Sequence, residues 1–143
     1  MQLREFIHTP AVTCPSGTSL WAVAQLMDAD NVGCVVVIDP DRHIAGIVTD
    51  RDLALRGLGN KLDSDTPVEQ IMNREVISVP DDQDVFEAAA RMASSGRRRL
   101  PVLDNEGNLK GIVALDDLTV LFAHQVDSLA QTVATATGLA TST

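Results

Sequence analysis

The chain repeats one pattern of apolar and polar positions twice. In each copy a short apolar piece, Ala11–Thr13 or Val76–Val79, comes shortly before or next to a proline, as at the edge of a sheet. Polar residues that favour helix starts follow, and apolar residues then recur every three or four positions, which predicts an amphipathic helix. The apolar helix positions are Leu20, Val23, Ala24 and Met27 in the first copy and Val85, Ala88, Ala89 and Met92 in the second.

Each predicted helix is followed by an unbroken apolar run, which is typical of a strand buried on both faces. A turn that begins with aspartate then leads to a third strand, and a second helix begins directly after that strand. Each copy therefore has the order β-α-β-β-α. The apolar runs are Val35–Ile38 and Leu100–Leu103, the turns Asp39–Arg42 and Asp104–Gly107, and the third strands Ile44–Thr49 and Leu109–Ala114.

A shift of 65 residues aligns the two copies without a gap. Between Pro15–Leu53 and Pro80–Leu118, ten of 39 pairs are identical, whereas average residue usage gives roughly two or three by chance. The similarity is strongest where GIVTDRDL at Gly46–Leu53 aligns with GIVALDDL at Gly111–Leu118. We predict an α+β fold of two packed units related by a pseudo-two-fold axis, because one unit of about 55 residues buries too little surface alone.

The predicted boundaries place repeat 1 in residues 1–60, repeat 2 in residues 61–121 and a helical extension in residues 122–143. An apolar stripe at helical spacing runs into this nearly uncharged extension, which predicts a C-terminal helix that packs against another subunit. The last residues, Gly138–Thr143, are expected to fray. The stripe consists of Leu118, Leu121, Phe122, Val126, Leu129 and Val133.

The net charge of −9 argues against binding to nucleic acid or to an anionic membrane surface. Cys14 and Cys34 lack the spacing of a metal site and fit reduced thiols in a reducing compartment. No segment has the length of a signal-peptide core or a membrane span, so we expect a soluble, cytoplasmic protein. Because no catalytic constellation is recognisable, the chain is not expected to be an enzyme or to hold a metal or a catalytic cofactor.

The β-α-β-β-α order, the apolar strand that ends in Asp39 or Asp104, and the repeated GIVxxxDL phrase resemble the CBS domain, named for cystathionine β-synthase. Two such units in tandem resemble a CBS pair, or Bateman module, over residues Gln2 to about Leu121. The resemblance implies units that meet sheet to sheet and leave two clefts. It also implies regulatory binding of an adenosine-type ligand (AMP or ATP first, then ADP, S-adenosylmethionine or NAD), a homodimer, and an unidentified protein partner.

The repeated phrase places Thr49 and Asp52 three residues apart at a strand-to-helix junction, where helix N–H groups favour an anion. The Thr49 hydroxyl can donate to a phosphate, whereas the Asp52 carboxylate suits the ribose hydroxyls because it would repel a phosphate. The resemblance carries the same ligand role to Asp117. A second interpretation is that Thr49 and Asp52 cap the helix, and the two roles are compatible.

The second copy departs from this pattern, because Ala114 replaces the threonine and Asp116 adds a negative charge where the first copy has Arg51. The resemblance implies that Arg98 or Arg99 restores the positive charge by reaching phosphates in the cleft of the second copy's aspartate. Arg51 is a weaker candidate for the first copy's cleft. For each arginine the alternative is a solvated surface position. The difference between the copies predicts two unequal sites.

The resemblance also implies an adenine slot between the first short strand and the long apolar strand of one unit, opposite the other unit's repeated phrase. These slot residues are equally compatible with a plain core. The chain as a whole leaves a second function open, an interaction scaffold with no working ligand site, because Ala114 and Asp116 weaken one cleft. The slot residues are Thr13, Pro15 and Val35 for one cleft and Ser78, Pro80 and Leu100 for the other.

Overall fold

The computed structural model describes residues 1–7 and 10–138 of the chain. It contains two three-stranded sheets. The first consists of β1 (Thr13–Pro15), β2 (Cys34–Ile38) and β3 (Ile44–Thr49), and the second of β4 (Val79–Pro80), β5 (Arg99–Leu103) and β6 (Leu109–Ala114). In each sheet the middle strand pairs in parallel with the first strand and antiparallel with the third.

Five α-helices are described: α1 (Leu3–Phe6), α2 (Leu20–Asp30), α3 (Asp50–Asp52), α4 (Val85–Ser95) and α5 (Leu115–Thr137). α3 continues directly into a π-helical turn and a 3₁₀ turn, which together extend the helical segment to residue 60. We call the first sheet with α2 and α3 unit 1, and the second sheet with α4 and α5 unit 2. The predicted α+β fold of two β-α-β-β-α units is therefore confirmed.

Polar residues begin the two long helices that lie inside the units. Ser19 caps α2, where its hydroxyl oxygen accepts a hydrogen bond from the Ala22 amide at 3.1 Å. Asp84 caps α4 in the same way, because its carboxylate accepts from the Phe86 amide at 3.0 Å. α4 ends at Gly96 with a left-handed φ of 69°, which glycine adopts at low cost. The sequence pattern and the local structure agree at these ends.

The two faces of each sheet have different partners. In unit 1, Val35 and Val37 belong to the hydrophobic core beneath α2, whereas Val36 between them points to the opposite face, and all three are fully buried. The sheet faces that point away from these cores approach each other, as one cavity shows that is lined by both Cys34 of β2 and Ile112 of β6. The uninterrupted apolar run of each middle strand follows from this double burial.

Each unit's core includes a segment from the other half of the sequence. Leu3 of α1 is fully buried in the core of unit 2, whereas Val68, Ile71 and Met72 are buried in the core of unit 1. Gly46 fits this crossing, because a methyl group in place of its hydrogen would lie 2.6 Å from the Met72 sulfur. The two packed units thus each contain a segment from the other half of the sequence.

The C-terminal helix is one continuous 23-residue element, Leu115–Thr137, which is about 35 Å long. The predicted boundary between residues 121 and 122 therefore falls inside α5, and residues 139–143 of the expected frayed end lie outside the described residues. Leu118 is buried, whereas Val126, Leu129 and Val133 are at least half exposed. Among residues 1–7 and 10–138, no helix combines the length and apolar character that crossing a bilayer requires.

Candidate functional site

The first strand-to-helix junction is closed by a reciprocal pair of hydrogen bonds. The Thr49 hydroxyl oxygen accepts from the Asp52 amide at 3.2 Å, and the Asp52 Oδ2 accepts from the Thr49 amide at 2.9 Å. This arrangement is a capping box, which satisfies two helix N–H groups with the two side chains. The capping interpretation of these residues is confirmed. Both side chains are half-buried, so they still face a partly open surface.

The second junction lacks this box. Ala114 occupies the N-cap position of α5 and has no hydroxyl to accept a hydrogen bond. Asp117 is exposed in the first turn of α5, and residues 1–7 and 10–138 form no hydrogen bond or ion pair with its carboxylate. Its two oxygens are therefore free to accept from a ligand, and the helix N-terminus beneath them offers N–H groups.

A cavity of about 380 Å³ joins this junction to unit 1. Unit 2 contributes Asp117, Ala114 and Arg99, and unit 1 contributes two short runs, residues 10–12 before β1 and residues 30–34 at the start of β2. We call this cavity the interunit cleft. Its unit 1 wall combines apolar residues with Asp30 and Asn31, whereas its unit 2 wall carries one carboxylate and one guanidinium.

The arginine triplet, Arg97–Arg99, leads into β5. Consecutive side chains point to opposite faces there, so the three arginines have different surroundings. Arg99 is half-buried and lines the interunit cleft. Arg98 is exposed and forms an ion pair with Asp116 at 3.2 Å, outside the residues that line the cleft. Arg97 is half-buried, and its backbone amide donates to the Ser95 hydroxyl. The structure therefore brings one of the two predicted arginines, Arg99, together with Asp117.

Arg99 also lies beside unit 1. A methyl group in place of the Gly33 hydrogen would lie 2.9 Å from Nη2 of Arg99 and 3.1 Å from Oδ2 of Asp50. The two side chains thus approach Gly33 together, so the positive charge of Arg99 lies near a carboxylate of the other unit. Arg51, by contrast, is exposed at the start of α3 and does not line the cleft.

Cys34 occupies the position in unit 1 that Arg99 occupies in unit 2, because the two are 65 residues apart. Burial raises the pKa of the Cys34 thiol to about 12. The nearby Arg99 lowers this pKa and the Asp52 and Asp50 carboxylates raise it, so burial decides the direction of the shift. The thiol is therefore neutral at physiological pH, and a neutral thiol is neither a good nucleophile nor a good metal ligand. Sequence reasoning did not connect this residue with the cleft.

The sequence model of the CBS domain family matches residues 3–58 and again residues 68–124, which together exceed half of the chain. The chain belongs to the CBS domain family. The CBS domain-containing protein YhcV of Bacillus subtilis (strain 168) is 36% identical over 118 residues, which are 82% of this chain and 83% of YhcV. The second match begins at residue 68, the first buried residue that the second half contributes to unit 1.

Solved CBS structures have the same fold. The CBS domain protein PAE2072 from Pyrobaculum aerophilum, complexed with AMP, superposes with a TM-score of 0.76 and 28% identity, over 82% of this chain and 89% of that chain. The CBS domain pair of protein MJ0100, in complex with 5-methylthioadenosine and S-adenosyl-L-methionine, gives a TM-score of 0.78 and 26% identity, over 87% and 98%. Both of these solved CBS proteins therefore hold adenosine-type ligands.

The residues predicted for the first adenine slot do not line the interunit cleft of this CBS pair. Val35 is fully buried in the core of unit 1, so its side chain does not line the cleft, and Pro15 is exposed outside the lining. Thr13 lines a neighbouring cavity that shares Ala11 and Val12 with the interunit cleft. The cleft wall lies nearer to the start of each strand. The reason is the antiparallel pairing of Cys34 with Thr49 and of Arg99 with Ala114, which puts the helix junctions beside the starts of the middle strands.

The residues predicted for the second slot are separated from one another. Leu100 is fully buried in the core of unit 2, Pro80 is exposed in β4, and Ser78 lines a different cavity near the β2–β3 turn. Thr49, Asp52 and Arg51 do not line the interunit cleft either. The two halves of the CBS pair are therefore unequal in structure as well as in sequence.

One cluster of potential metal ligands lies in the β2–β3 turn. Asp39, Asp41 and His43 each offer a ligand atom, and these atoms lie within 4.8 Å of one another. The Asp39 carboxylate already accepts from the His43 amide at 2.8 Å, and its other oxygen lies 3.8 Å from the His43 imidazole. Asp39 and His43 thus interact with each other at an exposed turn. The D-x-D-x-H spacing is the sequence pattern that indicates this cluster.

Proposed function

We propose that this CBS pair is a regulatory module that binds an adenosine-type nucleotide in the interunit cleft and transmits occupancy to a separate protein. The observation that carries the proposal is the cleft itself, where the guanidinium of Arg99 and the Asp117 carboxylate, unpaired among residues 1–7 and 10–138, lie opposite the apolar residues Ala11, Val12 and Val32 of unit 1. The adenosine ligands of the two solved CBS proteins support it. The proposal contains no catalytic step.

In this proposal each part of the ligand has one partner. The adenine lies against Ala11, Val12 and Val32, whose apolar surfaces and neighbouring backbone groups suit a flat heterocycle with polar edges. The ribose hydroxyls donate to the two oxygens of Asp117, and the phosphate accepts from Arg99. AMP is the first candidate and ATP the second, because one arginine beside two carboxylates of the lining, Asp30 and Asp117, suits a short phosphate chain.

The first copy's junction is the weaker candidate in this proposal. Thr49 and Asp52 are hydrogen-bonded to each other, so a ligand has to share or replace these bonds. Asp52 keeps one carboxylate oxygen outside the capping box. Arg51, the residue before Asp52, can extend its side chain toward a phosphate bound at this junction. We therefore propose one strong site at Asp117 and one weak site at Asp52.

Titration calorimetry with AMP, ADP, ATP, S-adenosylmethionine and NAD tests the proposal. We expect AMP to bind the wild-type protein with a submillimolar Kd. The Asp117→Asn variant should weaken AMP binding by about tenfold or more. A hydrogen bond to a charged group contributes roughly 1.5–3 kcal/mol, and in this proposal the Asp117 carboxylate accepts two such bonds. Asp116→Asn is the matched control, since Asp116 is the adjacent carboxylate and does not line the cleft.

No heat with any of these nucleotides at millimolar concentration would contradict the proposal, as would equal losses of affinity in the two variants. The alternative function is then a ligand-free interaction scaffold. The observation that favours the scaffold is the exposed apolar surface of α5, where Val126, Leu129 and Val133 repeat at helical spacing without charged neighbours on their own stripe.

We also propose that the CBS pair forms a homodimer and that this α5 surface contributes to the interface. Leu129 is 64% exposed and Val126 is 67% exposed, which is costly for apolar side chains at consecutive positions of one stripe. Sedimentation of the full chain and of a chain without residues 127–143 tests the α5 contribution. A dimer that survives this deletion with unchanged affinity would show that the interface lies elsewhere.

The buried free thiols of Cys14 and Cys34 fit a reducing compartment, so the proposed location is the cytoplasm.

A further inference from the structure

A second cavity, of about 260 Å³, lies at the far end of the β2–β3 hairpin from the interunit cleft. The β2–β3 turn contributes Arg42 and His43, the β5–β6 turn contributes Gly107, and the segment before β4 contributes Arg74 and Ser78. We call this cavity the turn pocket. Each unit thus supplies one hairpin turn to its wall, and the pocket shares no lining residue with the interunit cleft.

The charge of the turn pocket is opposite to that of the chain. All three charged or titratable residues that line it, Arg42, His43 and Arg74, are basic, although the net charge of the chain is −9. Among residues 1–7 and 10–138, no carboxylate lies within ion-pair distance of either arginine. Two unpaired guanidinium groups that share one cavity attract an anion, and Arg is the side chain best suited to hold phosphate with two parallel hydrogen bonds.

The backbone of Arg42 supplies an independent observation. Arg42 has a left-handed φ of 66°, a conformation that is costly for residues with a Cβ atom. The equivalent position 65 residues later is Gly107, with a φ of 81°. Both turns are closed by the same bond, from the Arg42 amide to the Asp39 carbonyl and from the Gly107 amide to the Asp104 carbonyl. The turn does not need an arginine, so the strain at Arg42 points to a function of its side chain.

The other side chains fix and complete the pocket. Nη2 of Arg74 donates to the Glu69 carbonyl at 3.1 Å, which holds one edge of the guanidinium and leaves the remaining N–H groups available. Ser78 is half-buried and adds a hydroxyl that can donate to a phosphate oxygen. Apolar side chains, Leu109 among them, form the remaining wall. The pocket therefore combines cationic donors with a small apolar surface.

We propose that the turn pocket is a second anion site, which binds the phosphate group of a small molecule through Arg42 and Arg74. The site does not rest on adenosine binding in the interunit cleft, because the two cavities have different residues. Its smaller volume, 260 Å³ against 380 Å³, favours pyrophosphate or a small phosphate monoester over a nucleotide. A ligand there touches both hairpin turns and so bridges the two units.

Titration calorimetry with pyrophosphate, and separately with glycerol 3-phosphate, tests this site on the full chain. Arg42→Gly removes the guanidinium and places glycine in the left-handed position, as in the second turn, so folding is expected to be retained. Arg74→Gln is the second variant. Arg91→Gln, at an exposed position of α4 outside both cavities, is the matched control.

We expect at least one probe to bind the wild-type protein. The probe that binds more tightly indicates whether the natural ligand class is pyrophosphate or a phosphate monoester. Arg42→Gly and Arg74→Gln should each weaken that binding by about tenfold or more, whereas Arg91→Gln should leave it within twofold. Absence of binding by both probes at 10 mM would overturn the proposal, since about that concentration still detects a weak anion site. Binding that is equally strong in Arg42→Gly, Arg74→Gln and wild type would also overturn it.

Discussion

Position 34 in unit 1 and position 99 in unit 2 are equivalent residues, one neutral and one positively charged. Cys34 is buried and neutral, because its pKa is raised to about 12, whereas Arg99 carries a permanent positive charge into the interunit cleft. Asp50 approaches the same point from unit 1. A single arginine in the second copy thus supplies the cationic group of the cleft that Asp117 faces.

Gly33 controls where that arginine lies. We expect Gly33→Ala to displace the Arg99 guanidinium, because the new methyl group would lie 2.9 Å from Nη2. Both neighbours are ends of flexible side chains, so the free energy of unfolding should change by less than about 1 kcal/mol. Calorimetry should show AMP binding weakened by about tenfold, with a smaller loss for adenosine, which has no phosphate.

Gly17→Ala is the control for this substitution, because nothing lies within 4 Å of the added methyl group. Equal losses for AMP and adenosine in Gly33→Ala would indicate a blocked adenine wall instead of a displaced arginine. That result would remove Arg99 from the proposed phosphate contacts while leaving the cleft itself in place.

At the scale of elements, the two helices that follow the third strands begin at equivalent positions but differ in their caps and in their lengths. α3 begins with the Thr49–Asp52 capping box, and its helical segment stops after the Gly57–Asn60 stretch, where Lys61 adopts a left-handed φ of 57°. α5 lacks the box but continues to Thr137, because its sequence contains no glycine before Gly138. Among residues 1–7 and 10–138 the Asp117 carboxylate has no hydrogen-bond partner, and the absence of glycine between Leu115 and Thr137 lets the helix extend beyond the fold.

Ala114→Thr should restore the cap. Ala114 is the N-cap residue of α5, and a threonine there can accept from the Asp117 amide as Thr49 accepts from the Asp52 amide. We expect urea denaturation to show a free energy of unfolding higher by about 1 kcal/mol. Ala123→Thr, an exposed change in the middle of the same helix, is the control and should lower stability slightly. A destabilised Ala114→Thr would mean that the hydroxyl finds no partner at this junction.

The strands, the helix starts and the repeat were predictable from the sequence, because each depends on local spacing. Val35–Ile38 shows its double burial as an unbroken apolar run, and Ser19 and Asp84 mark their helix starts. The resemblance likewise implies that Arg98 or Arg99 lies in the cleft of Asp117, and of the two arginines the structure brings Arg99 into one cavity with Asp117. The role of each in binding stays a prediction.

The walls of the cleft could not be obtained in the same way. Val35 and Leu100 were assigned to adenine slots, but their burial depends on which face of each strand meets the helices. The segments that begin with Leu3 and Val68 are equivalent in sequence, yet spacing does not reveal that each fills the core of the other unit. Both features depend on the packing of distant segments, which no local pattern encodes.

At the scale of the whole molecule, the exchange of segments makes the two units one cooperative structure. Leu3 lies in the core of unit 2, and Val68, Ile71 and Met72 lie in the core of unit 1. A ligand in the interunit cleft also touches both units, since Arg99 and Asp117 come from unit 2 and Gly33 from unit 1. The exchanged segments and the interunit cleft thus each involve residues from both units.

Leu3→Ala tests this exchange. Leu3 is fully buried although it lies close to the start of the chain, so we expect a loss of about 2–5 kcal/mol in the free energy of unfolding. Denaturation followed by circular dichroism and by Trp21 fluorescence should show one common transition, because Trp21 reports on unit 1 and Leu3 stabilises unit 2. Leu58→Ala, at a position that is 78% exposed and outside the α5 surface, is the matched control and should change stability by less than about 0.5 kcal/mol.

Two separate transitions in Leu3→Ala would contradict the cooperative account, and so would a loss no larger than that of Leu58→Ala. The first result would mean that unit 1 stays folded when unit 2 is weakened. The second would mean that the α1 segment is not packed in the core of unit 2.

The central claim is that an adenosine nucleotide binds where Asp117 faces unit 1. The most direct measurement is a ¹⁵N–¹H NMR titration of the full chain with AMP. We predict saturable shifts of the amides of Ala11, Val32 and Gly33 in unit 1 together with those of Ala114 and Asp117 in unit 2. A spectrum that does not change at millimolar AMP, or saturable shifts confined to residues outside the interunit cleft, would contradict the claim.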